Sequence, residues 1–211
     1  LGQVYHWRLE HNQDVDLPPG HWIRDAERLG GGAIMSCLTH QIDGLRWYAG
    51  EVAEVTCMTQ VIPSRMEGES IGLIAARLQS GALAQVSINW ATRMGWGRPN
   101  DLWSEINHVT AERGEAYYLC GKGTYLMVKE NPSAWANLFE GQPPTPGAFG
   151  KVKSAGAWMG HERCVDQWLR MLAGEPADLT TTGDDSRRTV EVAQAAVLAA
   201  ARRRVVKLPP A

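Results

Sequence analysis

The stretch that decides the fold reads Gly30-Gly31-Gly32-Ala33-Ile34-Met35-Ser36-Cys37-Leu38-Thr39-His40-Gln41-Ile42-Asp43-Gly44-Leu45-Arg46-Trp47-Tyr48-Ala49-Gly50. Ile34, Leu38, Ile42, Leu45 and Tyr48 recur at three- and four-residue steps, which places them on one face of a helix. The spacing predicts a helix of about five turns. Glycines precede it, and Gly50 suits the C-cap. A helix with one apolar stripe needs a surface to bury it against, so the flanking segments must supply that surface.

Those flanks read as strands. Residues 3–10 alternate and carry Val4, Tyr5 and Trp7, which predicts a strand. Residues 11–29 are polar around Pro18-Pro19-Gly20 and predict a loop. Beyond Gly50, residues 54–62 are rich in Val and Thr, and residues 70–78 and 82–91 flank a Gln79-Ser80-Gly81 turn. In the second arm Ala82, Ala84, Val86, Ile88 and Trp90 share one face, and Leu83, Gln85, Ser87 and Asn89 share the other. Residues 102–111, 115–120 and 124–129 add three strand candidates. Residues 131–156 hold four Pro and four Gly and predict an irregular loop.

Two helices close the chain. In 157–173, Trp158, His161, Val165, Trp168 and Leu172 form a stripe that predicts a core-facing side. The last helix starts at Thr182, carries Asp184 and Asp185 in its first turn, and ends in Arg202-Arg203-Arg204, charges that suit the two ends of the helix dipole. Residues 205–209 predict a short final strand. The expected architecture is α+β: a single domain over 1–211, with an open, mainly antiparallel sheet and helices packed on one face. The other sheet face is half polar, so a partner or a second copy is expected to cover it.

Composition bounds the function. The chain has 211 residues, 44% hydrophobic and 21% charged, as in soluble globular proteins. A net charge of −2 leaves no basic excess for nucleic acid or an acidic membrane surface. No apolar run approaches the ~18 residues of a membrane span. Cys37, Cys57, Cys120 and Cys164 form no C-x-x-C pair and no zinc spacing, and read as free thiols of a reducing cytoplasm. Nine Trp allow either a stacking cleft or core filling. Leu1-Gly2-Gln3-Val4 reads like the interior of a longer protein.

Several motifs fail. Gly30-Gly31-Gly32-Ala33-Ile34-Met35 lacks the last glycine of G-x-G-x-x-G and follows a loop rather than a strand. There is no G-x-x-x-x-G-K-[ST] and no G-x-S-x-G. The candidate chemistry lies on the long helix. His40 and Asp43 are three apart, with Ser36 a turn earlier. An imidazole facing a cleft can act as general base or acid near neutral pH, and Asp43 could fix its tautomer or bond a substrate hydroxyl. The plainer alternative is a satisfied, partly buried histidine. His161 could line the same cleft or sit in the core. Asn89, Trp90, Arg93 and Trp96 could form a sugar-binding lip or a loop around one buried tryptophan. Asp184 and Asp185 read as cap and dipole residues.

The run from Gly30 to Asp43 resembles the G-G-G-x-x-x-D-x-x-x-H-x-x-D signature of the Gfo/Idh/MocA oxidoreductases, named for glucose–fructose oxidoreductase and inositol dehydrogenase. Leu45 to Val52, the hairpin Ala76-Arg77-Leu78-Gln79-Ser80-Gly81-Ala82 and the ending Leu172-Ala173-Gly174-Glu175-Pro176 … Val206-Lys207-Leu208-Pro209 resemble the family's continuation. Trp22-Ile23-Arg24-Asp25 is also similar.

The resemblance implies the family's C-terminal domain, which supplies the substrate cleft and the oligomer contacts. The partner Rossmann domain, with NAD or NADP and the family's Glu-Lys-Pro lysine, is expected upstream of this chain. The chain itself is then expected to bind no nucleotide and no metal. The catalytic histidine of the family falls on His40, where it would take the proton of the hydroxyl being oxidised, and Asp43 matches the later acidic position. Ser36, Trp22, Arg24, Trp90 and His161 are the substrate-contact candidates. The family's frequent aspartate falls on Ser36, which carries no charge to raise the imidazole pKa but can still bond a hydroxyl. The leading expectation is the substrate-binding and oligomerisation half of a dehydrogenase acting on a sugar, cyclitol or polyol. The alternatives are a non-catalytic relative that has lost the proton relay and an NAD-dependent glycosidase-like member.

Overall fold

The computed structural model describes residues 1–92, 103–119, 123–128, 135–137, 159–177 and 182–209. Strand β1 (Val4–Gln13) is followed by a 3-10 turn (Trp22–Arg24) and a short helix α1 (Ala26–Leu29). A π-helical turn (Ile34–Leu38) then runs into α2 (Thr39–Ala49). Strands β2 (Val52–Val61), β3 (Glu69–Leu78), β4 (Leu83–Asn89), β5 (Trp103–Ala111), β6 (Gly114–Leu119), β7 (Gly123–Val128) and β8 (Trp135–Asn137) come next. Helices α3 (Met159–Leu172) and α4 (Gly183–Arg202) and strand β9 (Val206–Lys207) complete the described chain.

The nine strands form one open sheet in the order β8-β7-β6-β5-β1-β4-β3-β2-β9. β1 and β4 pair in parallel at its centre, and the other neighbours are antiparallel. The fold is α+β, as the strand and helix order implies. Alternation selects the buried face: Ala84, Val86 and Ile88 lie at 3%, 1% and 0% exposure. Trp7, Leu9 and His11 stand beside Ala84, Val86 and Ile88 in register, so the odd residues of β1 share that face. Ile34, Leu38, Ile42 and Leu45 of the long helix are fully buried against it. Each such side chain contributes about 1.5–3 kcal/mol through burial. The inner face of α4 is small: Ala193, Ala196 and Ala199 let it approach β2 and α2 closely.

Several details depart from the sequence-based expectations, and residues 11–29 hold the end of β1, a 3-10 turn and helix α1 rather than loop throughout. The first turn of the long helix is π rather than α. Tyr48 lies outside the core, 56% exposed, although it continues the apolar spacing. Residues 131–156 include strand β8, which pairs with β7; three residues are too few for alternation to show. The stripe of α3 is not core: Val165, Trp168 and Leu172 are 55%, 52% and 62% exposed. An amphipathic period reports that a face seeks cover, not which surface covers it. Trp158 and the remainder of 138–158 lie outside the described residues. Among the described residues, no helix is long and apolar enough to cross a membrane.

The glycine run is a packing device. A Cβ on Gly68 would lie 2.3 Å from the carbonyl oxygen of Gly31, and one on Gly32 would lie 2.5 Å from the Glu69 backbone nitrogen. Gly68→Ala and Gly32→Ala should therefore each cost about 3 kcal/mol, the upper end of overpacking. Gly183→Ala, with nothing near its would-be Cβ, should be nearly neutral. Urea unfolding midpoints of the three variants check this, and equal midpoints would contradict it.

Candidate functional site

The start of the long helix is set by backbone contacts from β3. Gly30, at φ 81°, closes α1 by donating its N–H to Ala26 O and Glu27 O. Gly31, at φ 138°, then turns the chain against Gly68. The Glu69 carboxylate accepts the Ile34 N–H at 3.1 Å, so the positive end of the helix is already met by a negative group. In a dinucleotide-binding turn a phosphate would occupy that place. The described residues do not fit a nucleotide there: a carboxylate fills the position, and the glycines are pressed against a neighbouring strand.

The loop over 62–69 ties this end of the sheet together. Arg65 Nη1 donates to Asp14 Oδ1 at 2.5 Å, to Val15 O at 3.1 Å and to Trp90 O at 3.1 Å. Arg24 donates to Leu17 O at 2.9 Å and to Ser64 O at 2.8 Å. Those bonds make Arg24 a clamp between two loops rather than a free ligand donor. Trp90 corrects the sequence reading as well: at 2% exposure it is core, not the lip of a cleft. It continues the buried face of β4, and alternation outweighs its position near a loop. Trp22 is 47% exposed and stacks loosely on His21, with ring centroids 6.1 Å apart.

On the helix itself, His40 is exposed and Ser36 is half-buried in the π turn. The expected partnership of His40 with Asp43 is not present. Asp43 Oδ1 instead accepts the Thr189 hydroxyl at 2.9 Å and lies 3.8 Å from Arg46 Nη1. The reason is α4, which packs beside α2 and offers Asp43 better partners than an exposed imidazole. His161 lies on α3, but its side chain is outside the described residues, as are Arg93 and Trp96. Among the described residues no group of three or more His, Cys, Asp or Glu could hold a metal.

Two polar groups at this helix escaped sequence reading. Arg46 is 7% exposed, and its guanidinium is fully engaged. Nε and Nη2 grip Glu51 at 3.1 and 2.8 Å, Nη1 reaches Asp185 O at 3.0 Å and Thr189 Oγ1 at 2.8 Å, and Nη2 reaches Asp185 Oδ1 at 2.8 Å. The hydrogen bond to Glu51 raises the Arg46 pKa, against the opposing effect of burial. That same bond holds Glu51 below the ordinary carboxylate value. Asp185 therefore does more than serve the helix dipole.

Beneath the other side of α2, Glu105 Oε1 accepts Gln41 Nε2 at 2.8 Å and lies 3.4 Å from Nδ1 of buried His11. His11 and Glu105 are cross-strand partners. Their pairing depends on register between strands some ninety residues apart, which alternation alone does not reveal. Cys37 is half-buried beside Ser36, and burial pushes its thiol pKa up.

This arrangement, a central mixed sheet backed by a glycine-led helix that carries an exposed histidine, defines a class of α+β domain. A sequence model of the GFO/IDH/MocA C-terminal domain matches residues 1–114, just over half of the chain. The chain belongs to that family, the C-terminal domain of Gfo/Idh/MocA oxidoreductases. It is 26% identical to a D-apiose dehydrogenase of Rhizobium rhizogenes (strain K84) over 96 residues, 45% of this chain and 27% of that protein. An oxidoreductase from Agrobacterium radiobacter, solved with NAD+, L-tartaric acid and magnesium, superposes at a TM-score of 0.72 and 20% identity, over 98% of this chain and 57% of that one. Levoglucosan dehydrogenase in complex with NADH and levoglucosan superposes at 0.75 and 16% identity, over 99% of this chain and 60% of that one. The chain thus spans less than two thirds of the length of these proteins.

The Arg46 clasp makes stability depend on pH in a defined direction. Because Glu51 titrates lower in the folded state, its contribution is complete above the unfolded value of about 4.3 and is lost as pH falls below it. Unfolding free energies measured from neutral to acid pH should fall less steeply in Glu51→Gln, which should also be less stable at neutral pH. A variant with the wild-type slope would remove Glu51 from this linkage.

Proposed function

We propose that this chain is the substrate-binding and self-associating part of an NAD(P)-dependent oxidoreductase that transfers hydride between a hydroxyl-bearing carbon of a sugar or polyol and nicotinamide. The observation that carries the reading is the exposed His40, on a helix clamped at one end by Glu69 and the glycine contact and at the other by Arg46. A rigid mount of this kind suits a general base, because proton abstraction needs the imidazole within hydrogen-bond reach of the hydroxyl. In this reading His40 takes the hydroxyl proton, and the half-buried Ser36 hydroxyl bonds a neighbouring oxygen of the substrate. Nicotinamide, when bound, accepts the hydride; the residues that hold it are not those described here. The names of the relatives, a D-apiose dehydrogenase and a levoglucosan dehydrogenase, favour a sugar over other alcohols.

A second reading has one observation in its favour. Ser36 brings no charge and Asp43 is turned toward Thr189, so His40 has no carboxylate partner among the described residues. A relative that binds a sugar without oxidising it would look the same. Turnover separates the two. In the enzyme carrying this chain with its nucleotide-binding part, His40→Ala should lower kcat by about a hundred- to ten-thousand-fold on an accepted polyol. Unchanged turnover would eliminate His40 as the base.

Self-association is assigned to the sheet face opposite α2. Met58 and Leu73 are cross-strand neighbours there, and both are exposed, at 76% and 49%; Leu83 lies on the same face at 47%. Apolar side chains grouped on an otherwise polar face favour a partner of the same kind. The free thiols Cys37, Cys57 and Cys164 support a reducing, cytoplasmic setting. Sedimentation at micromolar concentration should give a dimer or larger, and Leu73→Glu should shift it toward monomer. A wild-type monomer would refute the assignment.

A further inference from the structure

The sheet face opposite α2 is laid out by register. His6 of β1 stands between Leu83 of β4 and Thr110 of β5, and Arg8 stands between Gln85 and His108. Across β6, His108 pairs with Tyr117 and Thr110 with Glu115. Side chains alternate along each strand, so these groups form one polar strip across the middle of the face. Leu83 borders the strip beside His6, and it is one of the three exposed apolar side chains of the self-association surface.

The cations of this strip and its border meet carboxylates, with one exception. Arg8 Nε donates to Glu10 Oε1 at 2.6 Å, and His108 Nε2 stands 3.1 Å from Glu115 Oε2. Arg77, which pairs with Leu83, donates from Nε to Glu54 Oε1 at 3.1 Å. His6 has neither a hydrogen bond nor an ion pair with any described residue. The charged groups around it are Arg8 on its own strand, His108 and Glu115 on β5 and β6, and Arg77 beyond Leu83. Glu115 is already engaged by His108 and by the Tyr117 hydroxyl, and Arg77 by Glu54. Burial, and after it His108 and Arg8, hold the His6 pKa below its ordinary value.

A face whose charges are paired within itself can meet its own copy without repulsion, so a second copy is the occupant this pattern fits. A protonated His6 breaks that balance. Covering it would bury a cation with no carboxylate to meet it, which costs more than burying the neutral ring.

We infer that His6 is a proton-sensitive latch on this face: the neutral imidazole lets two copies associate, and its protonation separates them. The inference rests on the self-association reading and adds a regulator to it. In a twofold pair each copy supplies one His6, so the penalty counts twice. Association favours the unprotonated form, so its strength is complete above the ordinary histidine value of about 6.5 and is lost as pH falls below it.

Sedimentation of the protein carrying this chain over a concentration series, at about pH 7.5 and about pH 5.5, tests the latch. The lower pH stays above the acid range in which the Glu51 contribution is lost, and circular dichroism at both checks that the fold persists. The dissociation constant between copies should rise about tenfold or more on acidification. His6→Gln, which takes up no proton, should show the same constant at both pH values. His6→Lys, charged throughout, should dissociate already at the higher pH. Equal association of the wild type at both pH values, or a pH dependence that survives in His6→Gln, would overturn the latch and leave self-association standing. A wild type that is monomeric at the higher pH would overturn both.

Discussion

The contact between Gly31-Gly32 and Gly68-Glu69 is the constraint on which the rest of the molecule depends. Two backbone segments approach so closely that a single methyl group on Gly68 would meet the Gly31 carbonyl at 2.3 Å. That approach fixes the point at which the long helix leaves the loop, and it delivers the Glu69 carboxylate to the first free N–H of the helix. From this origin Ile34 passes over Gly72, another position where a Cβ would collide, at 2.7 Å. Leu38, Ile42 and Leu45 then follow down the sheet. Position and direction of the helix come from packing, and the exposed side of the helix, with His40, comes with them.

Arg46 secures the other end. A buried guanidinium is expensive to desolvate, and a well-packed apolar side chain could often match its stability. What the ionic clasp adds is direction. Its bonds to Glu51, Asp185 and Thr189 are planar and specific, and they join the end of α2, the entry to β2 and the first turns of α4 in one geometry. An apolar contact would tolerate sliding, whereas a forked hydrogen-bond pattern does not. Held at both ends, the π turn and α2 present Ser36 and His40 on one continuous segment. The aromatic contact of Tyr48 with Trp7 is made from the last turn of α2.

The legible parts of the chain were those decided by local period or by backbone conformation. Ile34, Leu38, Ile42 and Leu45 announced their burial through spacing, Gly50 announced the end of α2, and the β4 alternation announced its own buried face. Thr182 was readable as a cap, since its hydroxyl accepts the Asp185 N–H at 3.2 Å. Failures came where a local pattern meets a distant partner. Trp90 looked like part of a loop lip because Arg93 and Trp96 follow it closely in sequence, yet its side chain completes the core. The α3 stripe has the period of a core helix but is exposed here. Arg24 looked free until the carbonyls of Leu17 and Ser64, from two separate loops, supplied its acceptors.

By itself the sequence determined the class of fold, the place of the main helix and the identity of the histidine it carries, because period, glycine conformation and a spaced signature are all written within a few turns of chain. Only the tertiary structure decided which polar groups meet. Asp43 stands three residues from His40, yet its hydroxyl partner, Thr189, is 146 residues away in sequence. Glu105 meets His11 only because β5 pairs with β1 in one particular register. Hydrogen bonds and ion pairs act over a few ångströms, so their partners are chosen by whichever elements pack together, and that choice belongs to the whole fold rather than to any segment of it.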